Sequence, residues 1–193
     1  STDFKTFLEN EFSGINFTYN GGSPNINMMG FGGKYVLFLM NGERMAGETF
    51  DNIDYDRIDI DNIERIEIIK GASSSLYGSN AIGGVINIIT KDSKSPLDIN
   101  AGYLYDSSRD HKLNLSVGTK QKWGNFSISS FYKMREPYII KDRISTSGVY
   151  NELNVAGFTN YGINPKLTFN LSPKINFSLT PGYYFSERNP GTP

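Results

Sequence analysis

An alternation of apolar and polar residues recurs through the second half of the chain and constrains its fold more than any other feature. Five segments of about ten residues carry it, namely residues 97–105, 112–118, 125–135, 163–171 and 175–185. Because successive side chains of a β-strand point to opposite faces, each segment predicts a strand with one apolar and one polar face. Tilted strands of about this length cross a bilayer, but a soluble β-sandwich alternates in the same way.

The connections between these segments favour a membrane barrel over a sandwich. The turns at residues 122–124 and 172–174 are tight and the connection at residues 106–110 is short, whereas residues 136–160 read as a long polar loop. Short turns at one end and longer loops at the other are typical of outer-membrane barrels. Aromatic residues near the strand ends suit the two membrane interfaces: Trp123, Phe126, Tyr161 and Tyr183. Pro165 and Pro181 argue against a regular ladder, since proline cannot donate a backbone hydrogen bond.

Composition excludes several kinds of site. The 193 residues contain no Cys and one His, which rules out a disulfide framework and argues against a metal centre or a conventional catalytic triad. The chain has no apolar run of the roughly 18 residues that a membrane helix needs. We therefore expect no catalytic residues, no metal and no cofactor, and no nucleic-acid partner.

Residues 62–92 contain two apolar strands separated by small residues. The first strand, residues 65–70, ends at Gly71, and the second runs over residues 83–90. The connection lacks the glycine spacing and the Lys-Ser/Thr pair of a phosphate-binding loop. We expect positive φ angles at Gly71 and Gly78, and close backbone approach at Gly83 and Gly84.

The first sixty residues predict a small α+β arrangement. Residues 3–12 have N-cap chemistry and helical apolar spacing, a strand follows over residues 15–19 into a turn at 20–22, and another strand over residues 34–40 ends at Asn41-Gly42. Nine carboxylates lie between residues 43 and 67, but no register matches a calcium loop. Residues 61–64 have the spacing of a helix capping box.

The string over residues 62–90, including Leu76-Tyr77-Gly78-Ser79, strongly resembles the carboxy-terminal half of the plug domain of TonB-dependent outer-membrane receptors. Matching positions of the plug motif are Gly30, Gly42, Arg44, Glu64, Arg65, Lys70, Gly71, Tyr77, Gly78, Gly83 and Gly84. Met29 stands where the family has an arginine, and Asn41 where it has an aspartate. In the family that arginine and a second one, here Lys70, join an ion-paired cluster with barrel carboxylates, so the resemblance implies a reduced or rebuilt lock.

The resemblance implies an α+β plug domain over residues 1–92, a linker over 93–96 and the first about five antiparallel transmembrane strands of a β-barrel over 97–193, within a barrel of about 22 strands. The chain would then be a fragment, with the TonB-contacting segment before Ser1. The implied function is active transport of a scarce small-molecule ligand across the outer membrane of a Gram-negative bacterium, with TonB and outer-membrane lipid as partners. The connections at 106–110 and 136–160 would face outside. The alternative is a surface β-sandwich that binds glycans or proteins.

The identity of the transported ligand is the property that the sequence constrains least. Residues 42–49 together with 72–78 are most similar to the haem and haemoglobin receptor branch, which favours haem or another iron chelate, with ferric siderophores and cobalamin as alternatives. Candidate ligand contacts are His111, Tyr138 and Tyr150. A lone histidine carries no ligand spacing, and His111 also fits an ordinary position at the barrel rim.

Charge divides between the two halves of the chain. Residues 1–90 carry six basic and twelve acidic side chains, a net charge of −6, and residues 91–193 carry thirteen and eight, a net charge of +5. The basic residues of the strands share the parity of the polar set: Lys112, Lys133, Arg135 and Lys166. These four residues therefore predict a seam between a basic barrel wall and an acidic plug, unless water in the lumen solvates them.

Overall fold

A computed structural model describes residues 3–20, 23–45, 53–71, 74, 77–78, 81–106, 109–143, 150–172 and 174–189. The predicted turn at 20–22 and the motif runs at 46–49, 72–73, 75–76 and 79 lie wholly or partly outside these residues. The chain divides into two compact units, residues 2–91 and residues 92–193. Among the described residues, no helix is long and apolar enough to cross a membrane.

The first unit begins with helix α1, Phe4–Glu11, as the sequence predicts. Asp3 caps it, because its side chain accepts a hydrogen bond of 2.8 Å from the backbone N–H of Thr6. Lys5 Nζ lies 3.3 Å from Asp56 Oδ1 and 3.4 Å from Asp3 Oδ2, which ties the helix to a 3-10 turn at Tyr55–Arg57. Burial acts to lower the pKa of Lys5, but the charges of Asp56 and Asp3 outweigh it and the pKa is raised.

Two small sheets complete the first unit. An antiparallel sheet contains β1 (Ile15–Asn20), β2 (Ser23–Met28) and β3 (Phe31–Gly32). The other contains β4 (Val36–Met40), β5 (Glu43–Arg44), β6 (Ile63–Ile69) and β7 (Gly84–Thr90), in the order β5-β4-β7-β6. Strands β4 and β7 are parallel neighbours at its centre, and the other pairs are antiparallel.

The core of the first unit explains why β4 and β7 are almost continuously apolar. Strands buried on both faces cannot alternate, and most residues of these two strands are buried. Side chains from α1, β2, β4 and β7 form one cluster that includes Phe4, Leu8, Ile26, Met28, Phe38, Ile86 and Ile88. The Tyr55 ring packs edge-on against Phe17 and Phe38, at centroid distances of 5.0 and 5.6 Å.

The predicted capping box at residues 61–64 is wrong. Residues Ile60–Asn62 form a 3-10 turn and Ile63 begins β6, so no helix starts there. The alternation that places Ile66 and Ile68 against the core outweighs the local capping signal. Glu64 lies at a register shift between β6 and β7, where a bulge adds one residue to β6.

Gly83 marks the close approach that the sequence predicts. Its N–H donates a hydrogen bond of 2.8 Å to the Tyr35 carbonyl. A Cβ at this position would lie 2.7 Å from Phe31 Cβ and 2.9 Å from Tyr35 O, distances that leave no room for a side chain. The predicted positive φ angles at Gly71 and Gly78 are also present, at 73° and 93°.

The second unit is a six-stranded antiparallel sheet with a separate hairpin. Strand β13 pairs with both β14 and β15, and the remaining order is β13-β10-β9-β8. Its strands are β8 (Asp98–Tyr105), β9 (Asp110–Gln121), β10 (Gly124–Arg135), β13 (Gly157–Ser172), β14 (Ile175–Leu179) and β15 (Tyr183–Asn189). The hairpin is formed by β11 (Tyr138–Arg143) and β12 (Tyr150–Val155).

Two predicted boundaries in this unit need correction. The loop predicted at residues 136–160 contains the β11–β12 hairpin, and β13 already begins at Gly157. The single strand predicted at residues 175–185 is divided into β14 and β15. On both sides of the gap the pairing with β13 has the same register, which places Pro181 opposite Pro165; the register shifts only at the start of β14, opposite Ser172. Neither proline has an N–H to donate, so the ladder is interrupted there without shifting.

We predict that Gly83→Ala destabilises the β4–β7 pair by about 1–3 kcal/mol, because the added methyl overpacks against Phe31 and the Tyr35 carbonyl. Hydrogen exchange of β4 and β7 amides in the full receptor should then be clearly faster. Gly32→Ala is the matched control, since Gly32 has a φ of −73° and no atom within 4 Å of an added Cβ. Equal exchange in the two variants would contradict the close packing at Gly83.

Candidate functional site: the two faces of the barrel wall

The strand registers of the second unit define two chemically different faces. Residues that pair across β8, β9, β10, β13 and their partners share a face. The apolar face carries Ile99, Tyr103, Leu113, Leu115, Val117, Ile128, Tyr132, Ile163, Leu179, Tyr183 and Phe185. The polar face carries Asn100, Gly102, Asn114, Ser116, Gly118, Ser127, Ser129, Asn160, Asn164 and Ser186.

The apolar face is open to its surroundings across the whole sheet. Leu115 is 47% exposed, Ile99 60%, Ile163 47% and Leu179 50%. Soluble proteins rarely expose an apolar surface of this extent, and a β-sandwich would bury it against a second sheet. This exposure fits strands whose apolar side is covered by lipid.

Aromatic rings lie towards both ends of the apolar face. At the turn end, Phe169 packs against Trp123 and Phe177 with centroid distances of 5.6 and 6.4 Å. At the other end, Tyr161 packs against Phe185 and Tyr183 at 5.0 and 6.2 Å. Tyr161 and Phe169 are both on β13, about 27 Å apart along the strand. At the usual tilt of about 40° this gives about 20 Å across the membrane, close to the known apolar band of about 25 Å.

All four predicted seam residues lie on the polar face. Lys112 and Lys133 are direct cross-strand partners. Arg135 Nη2 donates a hydrogen bond of 2.6 Å to Asp110 Oδ2, and Lys166 Nζ lies 2.9 Å from Asp92 Oδ1. Arg135 and Lys166 thus have anionic partners inside the second unit. Their predicted role in a seam with the first unit stays a prediction.

The three candidate ligand contacts are not brought together. His111 pairs with Tyr105 and Met134 on the apolar face, and its Nδ1 lies 2.8 Å from the Tyr103 hydroxyl. Tyr138 begins β11 and Tyr150 begins β12, at opposite ends of the hairpin ladder, about 17 Å apart along the strands. The parity that His111 shares with Leu113 and Leu115 is a sequence signal that could have placed it on the apolar side.

In the first unit, the Asn41-Gly42 turn is the centre of a polar network. Both residues have positive φ angles, 53° and 86°, which suits a two-residue hairpin turn. Asn41 Oδ1 accepts hydrogen bonds from the Thr90 N–H at 3.0 Å and the Thr90 hydroxyl at 3.1 Å. The Gly42 N–H donates to Asn87 Oδ1 at 3.0 Å.

The same network continues across the sheet. Asn87 Nδ2 donates a hydrogen bond of 3.0 Å to Glu67 Oε2, and Arg65 Nε donates one of 2.9 Å to Glu67 Oε1. Arg65 and Glu67, both on β6, are thereby joined through Asn87 on β7 to the β4–β5 turn. We therefore assign Gly42 and Arg65, the two motif residues of this network, a structural role in fixing the turn.

Apart from the buried Gly83 and Gly84, the remaining motif residues are exposed on the first unit. Lys70 Nζ donates a hydrogen bond of 3.2 Å to the Ser13 carbonyl, just after helix α1. Met29 and Gly30 form a second turn with φ angles of 55° and 86°, between β2 and β3. The other exposed motif positions are Arg44, Glu64, Gly71, Tyr77 and Gly78.

Comparison with known proteins is consistent with this architecture. The family described as TonB-dependent Receptor Plug Domain matches residues 1–85. The vitamin B12 transporter BtuB of Photobacterium profundum is 31% identical over 126 residues, which are 61% of this chain and 21% of that protein. BtuB of Vibrio cholerae is 41% identical over 95 residues, 47% of this chain and 16% of that protein. The structure of the copper transporter OprC matches with a TM-score of 0.74 and 19% identity, over 97% of this chain and 28% of that one.

The fold is therefore a plug domain followed by antiparallel transmembrane strands of a β-barrel. The location of the protein is the outer membrane of a Gram-negative bacterium. The comparisons support a TonB-dependent receptor. The chain spans about a fifth of the length of the curated relatives it matches. Those relatives do not support the predicted haem and haemoglobin branch.

We predict opposite outcomes for arginine at two neighbouring positions of β9. Leu115→Arg places a charge on the lipid-facing side and should cost about 2–4 kcal/mol near the membrane midplane, so that the barrel assembles poorly. Ser116→Arg places the same charge on the polar face and should be tolerated. Heat-modifiable migration of the full receptor on gels measures assembly, and equal assembly of both variants would contradict the assignment of the faces.

Proposed function

We propose that the chain is part of an active transporter that takes up a scarce ligand through the outer membrane, with energy supplied by TonB. The observation that carries the proposal is the combination of a plug domain with a barrel wall that is apolar on one face and polar on the other. A polar face of this kind suits a water-filled lumen. A plug domain suits a barrel whose lumen is closed until the ligand is bound.

Transport by such a receptor is a conformational process. The ligand binds outside, and its differential affinity for two conformations of the receptor shifts the equilibrium between them. TonB then acts on the plug domain from the periplasm. The network around Asn41-Gly42 would keep the β4–β7 sheet intact while more weakly held parts of the plug rearrange.

Cobalamin is the first ligand to test. Both curated relatives named above are vitamin B12 transporters, and their similarity to this chain reaches 31% over 126 residues and 41% over 95 residues. Iron chelates, haem among them, are the second class. His111 lies on the apolar face, so this residue does not support haem as the ligand.

Uptake by a receptor-deficient Gram-negative strain that expresses the full receptor tests this proposal. We expect accumulation of labelled cyanocobalamin that excess unlabelled cyanocobalamin suppresses and that loss of TonB abolishes. Haemin and a ferric catecholate siderophore serve as parallel probes. Uptake that persists without TonB would contradict the class of transporter. TonB-dependent uptake of a different probe would contradict only the choice of ligand.

A further inference from the structure

Residues 92–96, here called the strap, are bonded to the barrel wall at four points. The Lys120 N–H donates a hydrogen bond of 2.9 Å to the Ser95 carbonyl, and Thr119 Oγ1 donates one of 2.7 Å to the Pro96 carbonyl. Asn125 Nδ2 donates one of 2.7 Å to the Ser93 carbonyl. Asp92 Oδ1 lies 2.9 Å from Lys166 Nζ. The sequence predicted this segment as a linker, but the structure gives it specific partners on three strands.

The first two residues of the strap cross the polar face. Gly118 of β9, Ser127 of β10 and Lys166 of β13 are cross-strand neighbours in a single row of this face. Asp92 and Ser93 lie at this row, because the Asp92 carboxylate meets Lys166 and the Ser93 carbonyl meets Asn125. Ser95 and Pro96 lie beside the end of β9, where they accept hydrogen bonds from Lys120 and Thr119. The strap therefore contacts three strands of the wall.

Gly118 provides the notch that seats the strap. A Cβ at this position would clash with Ser93 Oγ and would lie 2.9 Å from the Phe126 carbonyl and 3.0 Å from Ser127 Cβ. Ser93 is 6% exposed, so it is enclosed at this point. Any side chain larger than hydrogen at Gly118 would have to displace Ser93 or the neighbouring strand β10.

Lys91, the residue that precedes the strap, is held by hydrogen bonds within the first unit. The Lys91 N–H donates a hydrogen bond of 2.9 Å to the Asn62 carbonyl, and Lys91 Nζ donates one of 2.8 Å to the Asp61 carbonyl. Lys91 is thus bonded within the first unit, whereas Asp92 is bonded within the second. A single peptide bond separates the last residue fixed to the plug domain from the first residue fixed to the wall.

We infer that the strap is a fixed anchor for the plug domain, with Gly118, Asn125 and Lys166 as its positioning residues. It stays seated on the wall and limits how far the carboxy-terminal end of the plug can travel. This part of the inference rests on the proposed function: the rearrangement during transport involves residues that precede Lys91 in the chain and leaves the strap in place. A flexible linker in the same position would set no such limit.

Trypsin cleavage after Lys94 in the purified full receptor measures seating without any ligand. Lys94 is exposed, but a protease needs its neighbouring backbone to leave the wall. We expect Gly118→Ala to speed cleavage after Lys94 by about tenfold or more, because it ejects Ser93. Gly102→Ala is the matched control on the same face, where an added Cβ meets only the movable side-chain amide of Asn114. Wild-type cleavage as fast as that of Gly118→Ala would overturn the inference.

Exchanging the charges of Asp92 and Lys166 tests the first residue of the strap independently of Gly118. Asp92→Lys and Lys166→Asp each place like charges side by side and should both speed cleavage, whereas the double variant should return towards the wild-type rate. The Lys166 side chain is 13% exposed and that of Asp92 is 48%, so the pair is only partly screened by solvent. Failure of the double variant to slow cleavage relative to both single variants would overturn the role of this pair as an anchor.

The functional role is read from leakage of large antibiotics through cells that express each variant. The two single charge variants should sensitise cells to vancomycin, and the exchanged pair should restore resistance, if the strap holds the plug in place. Normal resistance in single variants with fast cleavage would overturn the proposed limit on plug travel. Neither the cleavage assay nor the leakage assay uses TonB or a transported ligand. Their results therefore do not depend on the outcome of the uptake experiment.

Discussion

Hydrocarbon cannot hydrogen-bond to a peptide group, and this constraint governs the second unit. Every backbone N–H and C=O at membrane depth needs a partner within the protein, which antiparallel pairing on both sides supplies for β9, β10 and β13. Once pairing is imposed, side chains must alternate between lipid and lumen, and the apolar–polar periodicity of the sequence follows. Pro165 and Pro181 lie opposite each other in the gap between β14 and β15. The pairing with β13 has the same register on both sides of this gap.

The first unit pairs its buried backbone groups in a different arrangement of strands. Its central strands β4 and β7 are parallel and largely buried on both faces, so they are mostly apolar and do not alternate. Polar groups fix the turn that ends β4: Asn41 bonds to Thr90 at the end of β7, and Gly42 bonds to Asn87 in the middle of β7. Glycine at residue 83 lets the Tyr35 backbone approach, which closes the sheet against the loop before β4.

Sequence patterns predicted those features that repeat or that local chemistry fixes. The helix after Asp3 and the strand faces followed from spacing, as did the polar-face parity of Lys112 and Lys166. The capping-box prediction failed because burial of Ile66 and Ile68 outweighs a local signal. His111, predicted as a candidate ligand contact or an ordinary rim residue, has the parity of Leu113 and Leu115 and lies with them on the apolar face.

Other features depend on groups far apart in the chain and could not be predicted in this way. The hairpin within residues 136–160 rests on pairing between two short segments of ordinary polarity. The strap contacts join Asp92 to Lys166 and Ser93 to Asn125, and only the register of three strands brings these residues together. The notch at Gly118 likewise exists because Ser93 lies above it.

The most direct test of the two-faced wall is a scan of spin-label accessibility along β10 in the full receptor embedded in lipid bilayers. Single labels at residues 126–133 would be exposed to molecular oxygen, which concentrates in lipid, and to a water-soluble nickel chelate. The account predicts a period of two, with oxygen contact highest at Ile128, Ser130 and Tyr132 and low at Ser127, Ser129 and Phe131. A scan without this period, or with the opposite phase, would contradict it.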